Sequence, residues 1–204
     1  MSSILKVDEI QDTSGNNIIN ESSDTITIGA SGDTVSIPSG ATIANSGTAT
    51  GFGGITMADQ WRLTSPFTGN AEPISSNLER NDTSFSHIGS GMSESSGVFT
   101  FPSTGIYLIR FYHMFQFKDG NALSRDAKIM HTTNNSSYSA IGLLNRNGLD
   151  EGYDNRGIEA MLDVTDTSNI KVRFDVTGAS TNDRTTGDST LNETCMTFIR
   201  LGDT

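Results

Sequence analysis

GVFTFPSTGIYLIRFYHMFQF, Gly97 to Phe117, is the stretch on which the reading of the fold turns. From Ile106 to Phe117 only Arg110, His113 and Gln116 interrupt a run of apolar and aromatic residues, and its Ile, Tyr, Leu and Phe content is that of a strand. Period-two alternation puts Tyr107, Ile109, Phe111, His113, Phe115 and Phe117 on one face and Ile106, Leu108, Arg110, Tyr112 and Met114 on the other. Both faces need cover. No helical periodicity elsewhere in the chain supplies it, so the pattern predicts one face against a second sheet of the same chain and the other against a different subunit.

Working outward, the flanking sequence reads as an all-β domain of short alternating runs separated by turn signals. Trp61, Leu63, Phe85, Ile88, Val98 and Phe99 are expected in early strands. Lys118-Asp119-Gly120-Asn121 contains the Asp-Gly of a two-residue hairpin, which predicts that Ala122 to His131 returns beside the central strand. Ile158, Ala160, Leu162 and Val164 alternate next, then Ile170, Val172, Phe174 and Val176, each with a polar opposite face. The closing run CMTFIRLG, Cys195 to Gly202, is again apolar on both sides: Cys195, Ile199 and Leu201 on one, Met196 and Phe198 on the other.

The run Phe99, Phe101, Pro102, Gly105, Tyr107 resembles the signature strand of the trimeric jelly rolls typified by the globular head of complement first component, subunit q, and by tumour necrosis factor. The resemblance covers Trp61 to the C-terminus, with CMTFIRLG where that family has its last strand. It implies an antiparallel β-sandwich head at residues 61–204 that trimerises through its two-sided strands. Ile106, Leu108, Tyr112, Met114, Met196 and Phe198 are then the expected interface. The leader SSILKVDEIQ and the stretch QWRLTSPFTGN, Gln60 to Asn70, resemble fibre and structural proteins of tailed bacteriophages, particularly marine ones. That likeness implies a virion protein, made in the host cytoplasm.

The N-terminal third has a different texture. Residues 1–22 hold a short apolar cluster, Ile4, Leu5, Val7 and Ile10, which reads either as a frayed terminus or as an extended peptide that docks on a partner's sheet edge. The phage resemblance favours the second, a virion anchor held by another virion protein. Residues 23–60 are expected to form a short β-repeat stalk and glycine-rich linker. ITIGASGDT (Ile26 to Thr34) is followed directly by VSIPSGATI (Val35 to Ile43), so that Ile26 matches Val35 and Ile28 matches Ile37 with a period of nine. Each unit carries too little apolar surface to fold alone, which leaves a stalk of three wound chains or a disordered linker. Residues 1–60 contain Lys6 as their only basic residue.

Charge and residue inventory narrow the function classes. A net charge of −11, with 13 basic residues scattered among 24 acids, offers no phosphate-binding patch and argues against nucleic acid. The single cysteine, Cys195, forbids an intrachain disulfide and reads as a buried, inert thiol. No apolar run approaches the length of a membrane span, and Met1 to Gln11 lacks a basic start, so neither membrane insertion nor a targeting segment is expected. His87, His113 and His131 fall on predicted strands without a nucleophile motif, and His113 reads as a hydrogen-bonded core or interface residue. No metal-ligand spacing occurs and no cofactor is expected. Asp150, Glu151 and Asp154 could hold calcium but fit no known loop spacing, and read better as a solvated acidic loop.

Two polar loops exceed what a hairpin needs: Asn145 to Gly157 and Gly178 to Ser189. Loops on a rigid sandwich carry binding specificity. Asn147, Asp150, Glu151, Tyr153, Asp154, Arg156, Asn182, Asp183 and Arg184 are the expected contacts to a host-surface glycan or protein. The leading expectation is a non-enzymatic, trimeric virion fibre or spike that binds the host. A capsid decoration or head-fibre protein is the alternative, and a polysaccharide-degrading enzyme the remote one.

Overall fold

The computed structural model describes residues 9–11, 13–14, 17–23, 25–29, 31–44, 46, 54–118, 124–146 and 151–204. It contains strands and no helix among these residues. The chain divides into two units, Met1–Phe52 and Gly53–Thr204.

The first unit holds a three-stranded antiparallel meander: β1 (Glu9–Gln11), β2 (Asn17–Ser22) and β3 (Thr25–Ile28). Ile10 pairs with Ile19 and Ile19 with Ile28, which puts three exposed isoleucines in one cross-strand row. Ser22 pairs with Thr25 inside one hairpin, so β2 and β3 lie on either side of residue 22. The two nine-residue units also differ. The first contributes β3, whereas Val35 to Ile43 forms no strand and leaves Val35 and Ile37 exposed. Ile4, Leu5 and Val7 lie outside the described residues.

The second unit is a two-sheet sandwich. Its strands are β4 (Ala58–Leu63), β5 (Phe67–Thr68), β6 (Leu78–Arg80), β7 (His87–Ile88), β8 (Ser93–Ser95), β9 (Val98–Thr100), β10 (Gly105–Phe117), β11 (Arg125–Thr132), β12 (Ser139–Arg146), β13 (Gly152–Val164), β14 (Lys171–Thr177), β15 (Arg184–Thr185) and β16 (Cys195–Gly202). The eight-stranded sheet is built around β10, which pairs with β13 along one edge. Its other edge pairs with β16 over Ile106 to Tyr112 and with β15 at Phe115 and Gln116. β4 follows outside β16. The five-stranded sheet runs β12-β11-β14-β9-β8.

The central strand alternates as its sequence predicts. Tyr107, Ile109, Phe111, His113, Phe115 and Phe117 are buried, and the opposite set is half-buried or exposed. The buried set meets Phe174 and Val176 of β14 and Ala127 and Ile129 of β11 in one core. Phe174 lies 4.9 Å from Phe111, and Phe99 lies 5.5 Å from Phe174, centroid to centroid. The signature glycine has a local reason. At φ +143° a Cβ on Gly105 would lie 2.5 Å from Arg200 Nε and 2.6 Å from the Gly202 carbonyl, so only glycine lets β16 close over the start of β10. Two residues on, the Tyr107 hydroxyl donates to the Ser103 carbonyl at 2.9 Å.

Two sequence expectations are corrected here. Arg125 to Thr132 does not return beside β10. It crosses to the other sheet and pairs with β12 and β14, while β10 takes the long β13 and β16 as partners. The turn signal itself, at Asp119 and Gly120, lies outside the described residues. Phe85 sits 38% exposed in a loop, not in a strand. Trp61 itself lies within β4, which starts at Ala58, and Met57 is buried in the core. Asp59 explains that start. It is buried and accepts hydrogen bonds from Trp61 Nε1 (3.0 Å), Arg80 Nε (3.0 Å) and the Met92 amide (2.6 Å), tying β4 to β6 and to the loop before β8.

Candidate functional site

The face of the eight-stranded sheet turned away from the core is a set of cross-strand rows. Ile106 sits opposite Asp163 of β13. Leu108 lies between Met161 of β13 and Ile199 of β16. Arg110 lies between Glu159 and Thr197, and Tyr112 between Gly157 and Cys195. Met114 is opposite Asn155, and Gln116 opposite Tyr153. Met161 is 70% exposed and Tyr153 62% exposed, whereas Ile106, Leu108, Tyr112 and Met114 are half-buried. Gly157 has a defined task here, because a Cβ on it would lie 3.2 Å from the Tyr112 ring; the ring lies across β13. A shallow cavity of about 460 Å³ opens beside it, lined by Arg110, Tyr112, Gly157, Ile158 and Glu159.

Met196 and Phe198 do not belong to this face. Both are fully buried, paired with Phe111 and Ile109 on the core side, and Phe198 packs 5.2 Å from Phe99. Alternation then hands the outward face of β16 to Cys195, Thr197, Ile199 and Leu201. Cys195 is buried beside Tyr112, and burial pushes its thiol up to about 11, so it is an inert thiol at neutral pH.

The far end of β10 meets an unexpectedly charged part of the core. Asp183, expected in a contact loop, is fully buried and ion-paired with Arg125. It also accepts the Lys118 amide at 3.1 Å and the Ser180 amide at 3.0 Å, while the Arg125 guanidinium covers the Phe117 ring at 4.7 Å. Burial alone would raise the Asp183 carboxyl; the hydrogen bonds from Arg125 and the two amides outweigh it and hold the group below the usual carboxylate range. Arg184 follows in β15, half-buried, and Asn182 is exposed.

A second buried arginine stands across the same end. Arg146 closes β12, donates to the His113 carbonyl and to His113 Nδ1 at 2.9 Å each, and ion-pairs with Asp154 at 3.0 Å. Arg156 reaches the same carboxylate at 3.0 Å. Tyr153, Asp154 and Arg156 are therefore strand residues of β13, not loop residues, and Asp154 is a paired inward group instead of part of a solvated acidic loop. Glu151 is exposed in the bend before β13; Asn147 and Asp150 lie outside the described residues. Burial pulls the Arg146 guanidinium down to about 10, with Asp154 opposing and Arg156 adding to the fall, so it keeps its charge at neutral pH. Nothing in the spacing of these residues announced the cluster: Arg125 opens β11 and Arg146 closes β12, and neither carries a motif.

The arrangement fixes the state of His113. A guanidinium only donates, so Nδ1 must carry the lone pair, and Nε2–H donates to Thr185 Oγ1 at 3.1 Å. Burial first, and the Arg146 charge second, depress its pKa well below 6.5. A base whose native pKa is depressed binds fewer protons folded than unfolded, so its contribution is complete above the unfolded pKa and is lost as pH falls below it. Urea unfolding is expected to show stability declining below about pH 6.5 by up to ~1.4 kcal/mol per unit from this group. His113→Gln should flatten that slope. An unchanged slope would disprove the neutral assignment.

No family model matches the chain, and no curated protein matches it in sequence. Solved structures do match. The crystal structure of murine APRIL at pH 5.0 superposes with a TM-score of 0.54 at 10% identity, covering 71% of this chain and 98% of that one. The Eiger TNF of S. frugiperda gives 0.51 at 10% identity, over 72% of this chain and 93% of that one. At such identity the likeness is one of architecture, and with the strand order above it shows that the second unit is a jelly roll of the tumour-necrosis-factor type.

Proposed function

We propose that three copies of the chain assemble through the outward face of the eight-stranded sheet into a fibre or spike of a bacteriophage virion, whose loop end binds the host surface. The carrying observation is that face: Ile106, Leu108, Tyr112, Met114, Met161 and Ile199 form apolar rows on the outer side of the strands around β10, on either side of the Arg110–Glu159 row. Burying such side chains is worth roughly 1.5–3 kcal/mol each, enough for several per copy to offset an association cost of about 4–15 kcal/mol. The jelly-roll architecture supports a binding module. The virion assignment draws on the phage-like leader and the stretch Gln60 to Asn70, with the segment at Ile4, Leu5, Val7 and Ile10 as anchor in another virion protein. Light scattering of the purified chain should give three times 21.8 kDa; a monodisperse monomer with β-sheet circular dichroism would overturn the assembly.

Labelled antibody on intact particles distinguishes a tail fibre from a capsid decoration. Adsorption tests the loop end: Gly-Ser in place of residues 147–152 and 179–182, with Asp183 retained, should abolish host binding and leave the trimer. Full adsorption by that variant would retire the receptor role. Release of oligosaccharide from host glycan would replace a binding protein with an enzyme.

A further inference from the structure

The centre of the apolar face is charged. Arg110 and Glu159 sit opposite each other on β10 and β13, with Leu108, Met161 and Ile199 in the row on one side and Tyr112, Gly157 and Cys195 in the row on the other. Arg110 Nη2 and Nε approach the same carboxylate oxygen, Glu159 Oε2, at 2.9 and 3.3 Å. Among the described residues neither Glu159 Oε1 nor Arg110 Nη1 has a partner, and both side chains are more than half exposed. An exposed pair of this kind adds little to the fold of one chain. Covering it with an apolar partner would strip water from both charges without return.

A second copy of this chain is the occupant that avoids that penalty. Each copy carries the same two charges in the same place, so in a closed ring of three one neighbour sets its Glu159 against the free guanidinium edge and the other neighbour sets its Arg110 against the free carboxylate oxygen. The cavity beside the pair gives the incoming group room. We propose that Arg110 and Glu159 form an intersubunit charge lock, by which copies recognise one another and set their register. This inference rests on the assembly reading above. It adds to that reading a specificity element: the apolar rows supply attraction, and the charges reject any chain that lacks their complement.

Chain mixing tests it. The double swap Arg110→Glu/Glu159→Arg keeps the pair within each chain and, in the proposed lock, also between identical chains. It should assemble like the original chain. Co-refolded with the original chain under distinguishable tags, it should yield only unmixed trimers by native mass spectrometry, because every mixed contact sets like charges together. Each single variant, Arg110→Glu or Glu159→Arg, should self-associate at least about tenfold more weakly, and mixing the two singles should recover part of the assembly, because two of the three contacts in a mixed trimer then join opposite charges. Binomial mixing of the original and double-swapped chains, or no rescue between the singles, overturns the lock while leaving the trimer standing. A folded double swap that fails to assemble also overturns it. A monomeric original chain overturns the assembly reading and the lock with it.

Discussion

Phe198→Ala is expected to destabilise the jelly roll by about 3–5 kcal/mol while leaving the number of subunits unchanged. The side chain is fully buried among Phe99, at 5.2 Å, and Phe174, at 5.9 Å, so truncation empties the middle of the aromatic cluster that joins the two sheets. Its neighbour Ile199 faces the other way and supplies the contrast. Ile199→Ala should cost the isolated fold less and the association between copies more, because it thins the row it shares with Leu108 and Met161. Denaturant unfolding at one fixed chain concentration, with scattering at the same concentration, separates the two effects. A Phe198→Ala protein that dissociates without losing core stability would show that the faces of β16 are assigned the wrong way round.

Asp183→Ala carries the second large effect, again about 3–5 kcal/mol. It removes the carboxylate from the buried Arg125 and takes the acceptor away from the Lys118 and Ser180 amides. Asp183→Asn should cost less, since an amide oxygen still accepts one of those bonds. Arg125→Met on the Asp183→Asn background should recover part of the loss, because it removes the buried charge whose counterion has gone. If Asp183→Ala unfolds at the same denaturant concentration as the parent, the ion pair has no part in holding the loop end together.

Much of the jelly roll is legible in the chain because burial on a strand has a period of two. Both faces of β10, and the inward sets of β13 and β14, follow from that period. The period does not say which face looks inward. For β16, apolar on both sides, Met196 and Phe198 were expected at the axis, and the pairing of Phe198 with Ile109 decides the matter the other way. Nor does a local turn signal say which sheet the next strand joins, which is why β11 was expected beside β10. The charged loop-end cluster was hidden for a related reason. Arg125, Arg146, Asp154 and Asp183 look solvated when read singly, and only tertiary pairing makes their burial tolerable. Within that loop Asn182 is exposed, whereas Asp183 is buried and fixed by its partners.

The clamp at Asp59 has an optical consequence. Trp61 is the chain's single tryptophan, and all four tyrosines lie after residue 100. The indole donates to Asp59, has the Arg80 guanidinium 4.9 Å above its ring, and meets Phe99 edge-on at 5.5 Å. Its emission and near-ultraviolet dichroism thus belong to the jelly roll alone, and the meander of β1 to β3 is spectroscopically silent at those wavelengths. A melting curve followed at Trp61 reports the head, and one followed by amide dichroism reports both units. Any difference between the two transitions is a direct reading of whether the N-terminal strands melt with the head or before it.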